Sequence, residues 1–354
     1  MIKYLGSKRT LLPLLSSVAA ALPAVRTALD LFSGTARVAR AFKGLGLQVT
    51  ANDHNLYAAV LARALIEADL ETHGWAATVA LAHLQALPPR PGYVTRTFCH
   101  DARFFTPENG AHIDAIRAGL DELHLCEPLR SVCLAALLEA ADRVDSTVGV
   151  QMAYLKGWSP RAVQPLTLRL PALLPRARHG GGAGWCREAV DAARAWRGDL
   201  AYLDPPYNQH SYLSNYHVWE TLARNDEPVA YGMAMKRADC RTRRSAFNSK
   251  PGCHAALAEV LAALDCRYLM VSFNDEGFIT RAEMEAMLRQ RGTVVTIVRP
   301  YLRYIGARIG IYNGDGDKVG RVSHTTNHEL VYVVLPAGQE VPAALAAMAC
   351  ATLD

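Results

Sequence analysis

Thr27-Ala-Leu-Asp-Leu-Phe32, then Ser33-Gly34-Thr35, Ala36 to Leu45 and Leu47-Gln-Val-Thr-Ala51, read as strand, turn, helix and second strand. The first run is apolar and of strand length, Ser-Gly-Thr is turn chemistry, and the third stretch has helical length. A strand that passes through a helix to another strand builds a parallel sheet, so the fold class is α/β. Open sheets of this kind bind ligands beyond the carboxyl ends of their strands, where the strand order reverses. Gly34, in the first strand-to-helix turn, lets backbone approach a ligand closely. Asp53 ends the second strand, and it follows Asp30 at close to the ~20-residue spacing of an acidic side chain that accepts from a ribose diol. There is no Gly-x-Gly-x-x-Gly, so nicotinamide is not indicated. Taken alone, the segment fits a nucleoside cofactor or an ordinary strand-helix turn.

Outward from this unit, Tyr57 to Leu87 is rich in Ala and Leu and reads as helix, broken by Pro88-Pro-Arg-Pro-Gly92. A second helical stretch covers about 110–144. Pro160, Pro165, Pro171, Pro175 and Gly180-Gly-Gly182 then mark a linker. The α/β pattern resumes at Leu200-Ala-Tyr-Leu203 and continues through Arg267-Tyr-Leu-Met-Val-Ser272, Thr293 to Val298 and Glu329 to Leu335. The expected organisation is an α/β part in two pieces, 1–58 and 185–354, around a mostly helical insert, 59–184. Gly306, Gly310, Gly314 and Gly316 suggest a long hairpin or loop before the last strand.

The 354 residues, 51% of them apolar, support a sizeable core, and a net charge of +5 permits a polyanionic partner without demanding one. Eight cysteines, none in a C-x-x-C pair, argue against a zinc site or disulfide framework and for a reducing cytoplasm. Lys8-Arg9 followed by the Leu/Ala-rich 11–24 imitates a secretory signal, but a buried helix interrupted near its start by Pro13 is the better reading. No other stretch has the length and apolarity of a membrane span.

The chemistry concentrates in Tyr202-Leu-Asp-Pro-Pro-Tyr-Asn208, directly after an apolar strand. Pro205 and Pro206 fix φ and donate nothing, holding a rigid corner whose carbonyls stay free to accept. Asp204 adds a carboxylate and Tyr207 a flat ring. The set suits an amino group on a planar base: Asp204 and the Pro205 carbonyl accept its two N–H bonds while the Tyr207 ring stacks. Adenine and cytosine both satisfy it. Lys3-Tyr-Leu-Gly-Ser-Lys8 is a third feature, which on its own reads equally as a solvated start.

In order, Lys3-Tyr-x-Gly-Ser-Lys8, Asp30-Leu-Phe-Ser-Gly34, a helical insert and Asp204-Pro-Pro-Tyr207 resemble the Dam-like, D12-class adenine-specific DNA methyltransferases. Ser272-Phe-Asn-Asp-Glu-Gly-Phe278 and Asn327-His-Glu-Leu-Val331 resemble that family's later strand ends. The resemblance implies a Rossmann-like class I AdoMet-dependent sheet and transfer of a methyl group from S-adenosyl-L-methionine to N6 of a flipped-out adenine in double-stranded DNA. It implies that Tyr4, Gly6 and Lys8 close over the cofactor's methionine end, and that Asp30, Phe32 and Gly34 line its methionine and ribose. Asp53 then holds the ribose hydroxyls, and Glu188 stands where the family usually carries an Asp facing the cofactor's adenine. Asp204 borders the cofactor as well as the base. Such a transfer calls for no metal.

For DNA, the densest basic stretch is Lys236, Arg237, Arg241, Arg243 and Arg244, with Lys250 after it, in a candidate loop about 231–250. Arg303, Tyr304 and Arg308 form a second patch in a candidate loop about 299–327. Ser211 to His217 could fold over the base or cap a helix. In the insert, Ala153-Tyr-Leu-Lys156 and Trp158 resemble a DNA-proximal family segment, whereas Asp145 to Gln151 departs from the Asn-Thr pattern expected there. A cognate restriction endonuclease is the implied partner. An N4-cytosine methyltransferase, a non-catalytic DNA-binding relative, and an enzyme acting on RNA or protein are the alternatives.

Overall fold

The structure, a computed structural model, describes residues 2–302, 311–312, 318–320 and 326–350. After a 3-10 turn at Lys8–Thr10 come α1 (Leu12–Ala21), β1 (Thr27–Asp30), α2 (Arg37–Gly44), β2 (Gln48–Asn52), α3 (Leu56–Ala62), α4 (Leu70–Gln85), α5 (Pro107–Glu122) and α6 (Leu129–Val144). The chain continues through β3 (Ala183–Trp185), α7 (Ala189–Ala195), β4 (Arg197–Leu203), α8 (Tyr212–Asn215), α9 (His217–Arg224), and the short β5 (Ala230–Tyr231) and β6 (Lys236–Arg237). It closes with α10 (Lys250–Ala263), β7 (Asp265–Asn274), α11 (Arg281–Arg289), β8 (Thr293–Leu302), β9 (Ile311–Tyr312), β10 (Lys318–Gly320), β11 (Thr326–Leu335) and α12 (Ala343–Cys350).

Seven strands make one sheet in the order β3-β2-β1-β4-β7-β11-β8. The pairs from β3 to β7 are parallel, and β11 runs antiparallel to both β7 and β8. This is a doubly wound, Rossmann-like sheet with one reversed strand, as the α/β reading expects. Its strands alternate between two buried faces, so the runs are apolar almost throughout. Ala28, Leu200, Tyr202, Met270 and Val331 pack with α1, α2 and α12 on one side. Leu29, Ala201, Leu203, Val271 and Leu330 pack with α7, α10 and α11 on the other.

The Leu/Ala-rich segment that imitates a signal is α1, whose Leu15, Val18 and Ala19 lie in the core. Pro13 does not interrupt it but sits in its first turn, where the missing N–H is no loss. The helix expected from Tyr57 to Leu87 is two, separated at Ala68. The break leaves carbonyls without helical partners, and the buried Lys43 ammonium satisfies them, donating to the oxygens of Ile66 and Ala68 and to Asp69 at 2.7–3.0 Å. Strand β3 begins directly after the stretch read as linker, at the very end of the expected insert; only three residues long, it carries too little apolar pattern to announce itself. Helices α3 to α6 enclose their own apolar cluster around Phe98, Phe104, Ile113 and Leu134, and α9 joins it through Tyr216 and Trp219.

Candidate active site

Strand order reverses between β1 and β4: the chain leaves β1 toward β2 and leaves β4 toward β7. The two strands end side by side, with Asp30 in register with Tyr202. The crevice of the doubly wound fold therefore opens at Asp30 and Asp204. Tyr4, Phe32, Gly34, Asp53, Glu188 and Tyr212 line it, aromatic rings beside a few polar groups as in a small-molecule site.

Asp30 is 1% exposed. One oxygen accepts the Ala39 N–H in the first turn of α2 at 3.0 Å, and the other is buried without a partner. Burial first, then the nearby Asp204 and Asp53 carboxylates, push its pKa up to about 8, against the Ala39 hydrogen bond. Gly34 has φ +49°, and a Cβ there would lie 3.0 Å from the Tyr4 ring, so both its conformation and its neighbour require glycine. Asp53 Oδ2 accepts the Gly34 N–H at 3.1 Å and Oδ1 accepts from Asn55 N at 2.9 Å. Burial raises the Asp53 pKa, opposed by His54 and these hydrogen bonds.

Asp204 follows β4 directly, and Pro206 lines the crevice with it. The Lys8 ammonium lies 2.9 Å from Asp204 Oδ1 and 2.8 Å from Oε1 of Glu329. Burial lifts the Asp204 carboxyl to about 6; Lys8 pulls down and Glu329 pushes up. Burial alone would lower Lys8, but the two carboxylates hold it well above the ordinary lysine value. Lys8 thus meets the end of β4 from the far end of the chain. Tyr207 is half-buried, its ring edge-on to Phe273 at 6.2 Å. The loop after it is pinned by Asn248, whose amide donates to the Asn208 and His210 carbonyls at 2.8 and 3.1 Å.

One wall is a cluster of tyrosines: Tyr4 runs near-parallel to Tyr212 and Tyr216 with centroids 5.2 and 4.6 Å away, and its hydroxyl meets that of Tyr57 at 3.1 Å. Gly6, at φ +67°, leaves room for the Tyr212 hydroxyl. Opposite, Phe32 packs edge-on against Phe247 at 5.0 Å. Glu188 lines the rim, its side chain 71% exposed and 3.6 Å from His54 Nδ1. Asn52, 1% exposed, donates to the carbonyls of Leu31 and Arg187 and accepts from Arg187 N, tying the ends of β1, β2 and β3 together. Sequence reasoning missed Asn52 and Phe247 as members of the site; Tyr212 lies in the stretch read as folding over the base or capping a helix, and Glu329 in one noted only as a strand end. For Asn52, its place beside Asp53 at a strand end was the available signal.

The basic stretch divides. Arg237 is 3% exposed and gripped by Asp226 through two 2.7 Å bonds and by Asp239 at 3.0 Å. Expected at DNA phosphates, it is instead an internal cross-link, because its cationic demand is already met by carboxylates. Arg243 is likewise engaged, with Glu220 at 3.0 Å and Asp239 at 3.4 Å. Arg241 lies exposed over the Tyr231 ring at 3.9 Å, Arg244 and Lys250 are exposed, and Lys236 is half-buried. Arg303, Tyr304 and Arg308 lie outside the described residues. Asp145 to Gln151 turns inward: Asp145 holds Lys3 at 3.0 Å and also Arg161, while Gln151 accepts from Val218 N at 2.8 Å. The departure from the Asn-Thr pattern thus falls on residues bound to the chain's own interior.

A crevice at the reversal point with an acidic residue at each of three strand ends, and an Asp-Pro-Pro-Tyr corner beside it, defines a Rossmann-like methyltransferase acting on an amino group. Residues 4–287 match the model of the D12 class N6 adenine-specific DNA methyltransferases, and the chain belongs to that family. It is 30% identical over 347 residues to the type II methyltransferase M.NlaIII of Neisseria lactamica, covering 94% of this chain and 98% of that protein. It is 27% identical to the modification methylase StsI of Streptococcus sanguinis and 30% identical to the type II methyltransferase M.FokI of Planomicrobium okeanokoites. Those matches cover 86% and 78% of this chain but 49% and 45% of the two relatives, so the chain spans about half their length.

The family implies a methyl donor of the AdoMet type, and the residues present fit one. The unpartnered Asp30 oxygen and the unpartnered Ser33 hydroxyl are buried polar atoms that a zwitterionic, hydroxylated ligand would satisfy. Phe32, Phe247 and the tyrosine wall offer apolar surface for its adenosine.

Proposed function

We propose that this protein methylates N6 of adenine in double-stranded DNA, using S-adenosyl-L-methionine, and serves as the modification enzyme beside a cognate restriction endonuclease. The observation that carries it is the Asp204 carboxylate, held at the end of β4 by Lys8 at 2.9 Å and lining the crevice. Adenine rather than cytosine rests on the family; the restriction partner rests on relatives named as type II methyltransferases and modification methylases.

In this reading Asp53 holds the ribose hydroxyls, Asp30 and Lys8 face the methionine end with Tyr4, Gly6, Phe32 and Gly34 around it, and Glu188 reaches the cofactor's adenine. When bound, the cofactor supplies a methyl group on a sulfonium, the electron pair remaining on sulfur as the carbon bonds to nitrogen. The amino nitrogen is a poor nucleophile because its lone pair is delocalised into the ring. Accepting its hydrogens at Asp204 and the Pro205 carbonyl favours a tetrahedral nitrogen with the lone pair free, and stabilises the positive charge that develops. The surplus proton leaves to Asp204 or to water. The target base must leave the duplex at about a few kcal/mol, and stacking on Tyr207 returns part of this.

Residues 59–184 serve as the target-recognition region, with Arg103 lying 5.6 Å over the ring of the half-open Trp158. Lys236, Arg241, Arg244 and Lys250 supply phosphate contacts. Mass spectrometry of nucleosides from duplex DNA incubated with protein and AdoMet tests the proposal. N6-methyladenine is the expected product; N4-methylcytosine as sole product overturns it.

A further inference from the structure

We propose that Glu329 is a positioning residue for methyl transfer, acting through Lys8 to keep Asp204 a strong acceptor with one oxygen free for the base. This rests on the reading of Asp204 as the acceptor of the target amino group. Lys8, Asp204 and Glu329 come from the N-terminal turn, the end of β4 and the start of β11, and they meet within 2.9 Å. A lone Lys8–Asp204 pair would neutralise the catalytic carboxylate and weaken it both as hydrogen-bond acceptor and as base. A second carboxylate on the same ammonium divides the lysine's charge, and the trio keeps a net charge of −1.

Glu329 is built to stay in place. Its side chain is 7% exposed, its strand is paired on both sides, and Asn274, its register partner on β7, offers an amide 3.5 Å from Oε2. A buried carboxylate is costly where only packing is needed, since an apolar residue fills such a place without desolvation. Lys8 meets Asp204 through Oδ1, and Oδ2 is the oxygen assigned to the substrate. The Asp204 charge is felt in turn by Asp30 on β1, Tyr202 on β4 and Tyr212 beside the crevice. Arg299, opposite Glu329 on β8, turns its guanidinium to the Val298 and Met348 carbonyls.

The test is the pH profile of single-turnover methylation of duplex DNA by the full chain with saturating AdoMet. Glu329→Gln keeps an acceptor for Lys8 and removes the charge. Without that charge Lys8 pairs with Asp204 alone, the carboxyl becomes more acidic, and the acid limb moves to lower pH by about one unit. The plateau rate falls roughly tenfold, and AdoMet affinity by calorimetry stays within about twofold. An unmoved acid limb, or a defect confined to AdoMet affinity, overturns the proposal. Should the Gln variant fail to fold, Glu329→Asp carries the test: its shorter reach loosens Lys8 and lowers the plateau several-fold at unchanged AdoMet affinity, and a wild-type plateau refutes the role. Failure of the wild-type protein to form N6-methyladenine would instead sink the underlying reading of the site.

Discussion

The Asp53 carboxylate accepts the Gly34 N–H at 3.1 Å, so the end of β2 holds the turn that follows β1. The same side chain accepts from the N–H of Asn55, the residue just before α3. Asp53→Ala removes this brace together with the proposed ribose acceptor. Hydrogen bonds to a charged group contribute about 1.5–3 kcal/mol, so AdoMet affinity should drop roughly 10- to 100-fold. Calorimetry giving wild-type affinity would take Asp53 out of the cofactor site.

Asp204→Asn leaves Lys8 its Glu329 partner and keeps the shape of the corner. It should lower the methylation rate by about 10²–10³ while AdoMet affinity changes less than about threefold. Single-turnover kinetics and calorimetry on the same preparation separate the two. Retained turnover would refute the assigned role.

Arg237 and Lys250 should behave oppositely. Arg237→Ala leaves Asp226 and Asp239 facing one another without their cation; with both carboxylates partly exposed, the loss of stability should be about 2 kcal/mol. Lys250→Ala should leave the melting temperature unchanged and reduce the slope of log K for DNA against log salt by about one. Equal melting temperatures for both variants would contradict the internal role of Arg237.

Asp30 makes the ligand-free protein sensitive to pH. Its folded pKa, about 8, stands above the ordinary 3.8, so the folded state binds the proton more tightly than the unfolded chain. The stability this contributes is complete below about pH 4 and is lost as pH rises through 8. Asp30→Asn, which cannot ionise, should therefore gain stability relative to wild type from pH 5 to pH 8, by on the order of 1–3 kcal/mol. Thermal melts across that range test the sign; a difference independent of pH would show that Asp30 does not titrate there.

What could be read from the residues was local. The strand-turn-helix at Thr27 to Leu45 and the corner at Asp204 each carry their signal within a few positions, and the sheet places both where the pattern demands. Glu329 gave no such signal, because its meeting with Lys8 depends on β11 running backwards between β7 and β8. Tyr212 lies in a stretch that could fold over the base or cap a helix, and only the folding of that loop onto the crevice separates the two roles. Arg237 misled for a related reason: charge density in a segment implies solvent, but it does not show that Asp226 and Asp239 lie on either side of one guanidinium.

The reversed strand also sets an order of events in the life of the chain. Among the described residues strand β8 has β11 as its sole neighbour in the sheet, so this edge docks after the last strand has been made. A ribosome delivers Lys8, Asp30, Asp53 and Asp204 well before it delivers Glu329. By the argument above, a nascent chain stalled before β11 lacks the second carboxylate that shares Lys8 with Asp204. Full competence to modify DNA would then arrive with the final strand.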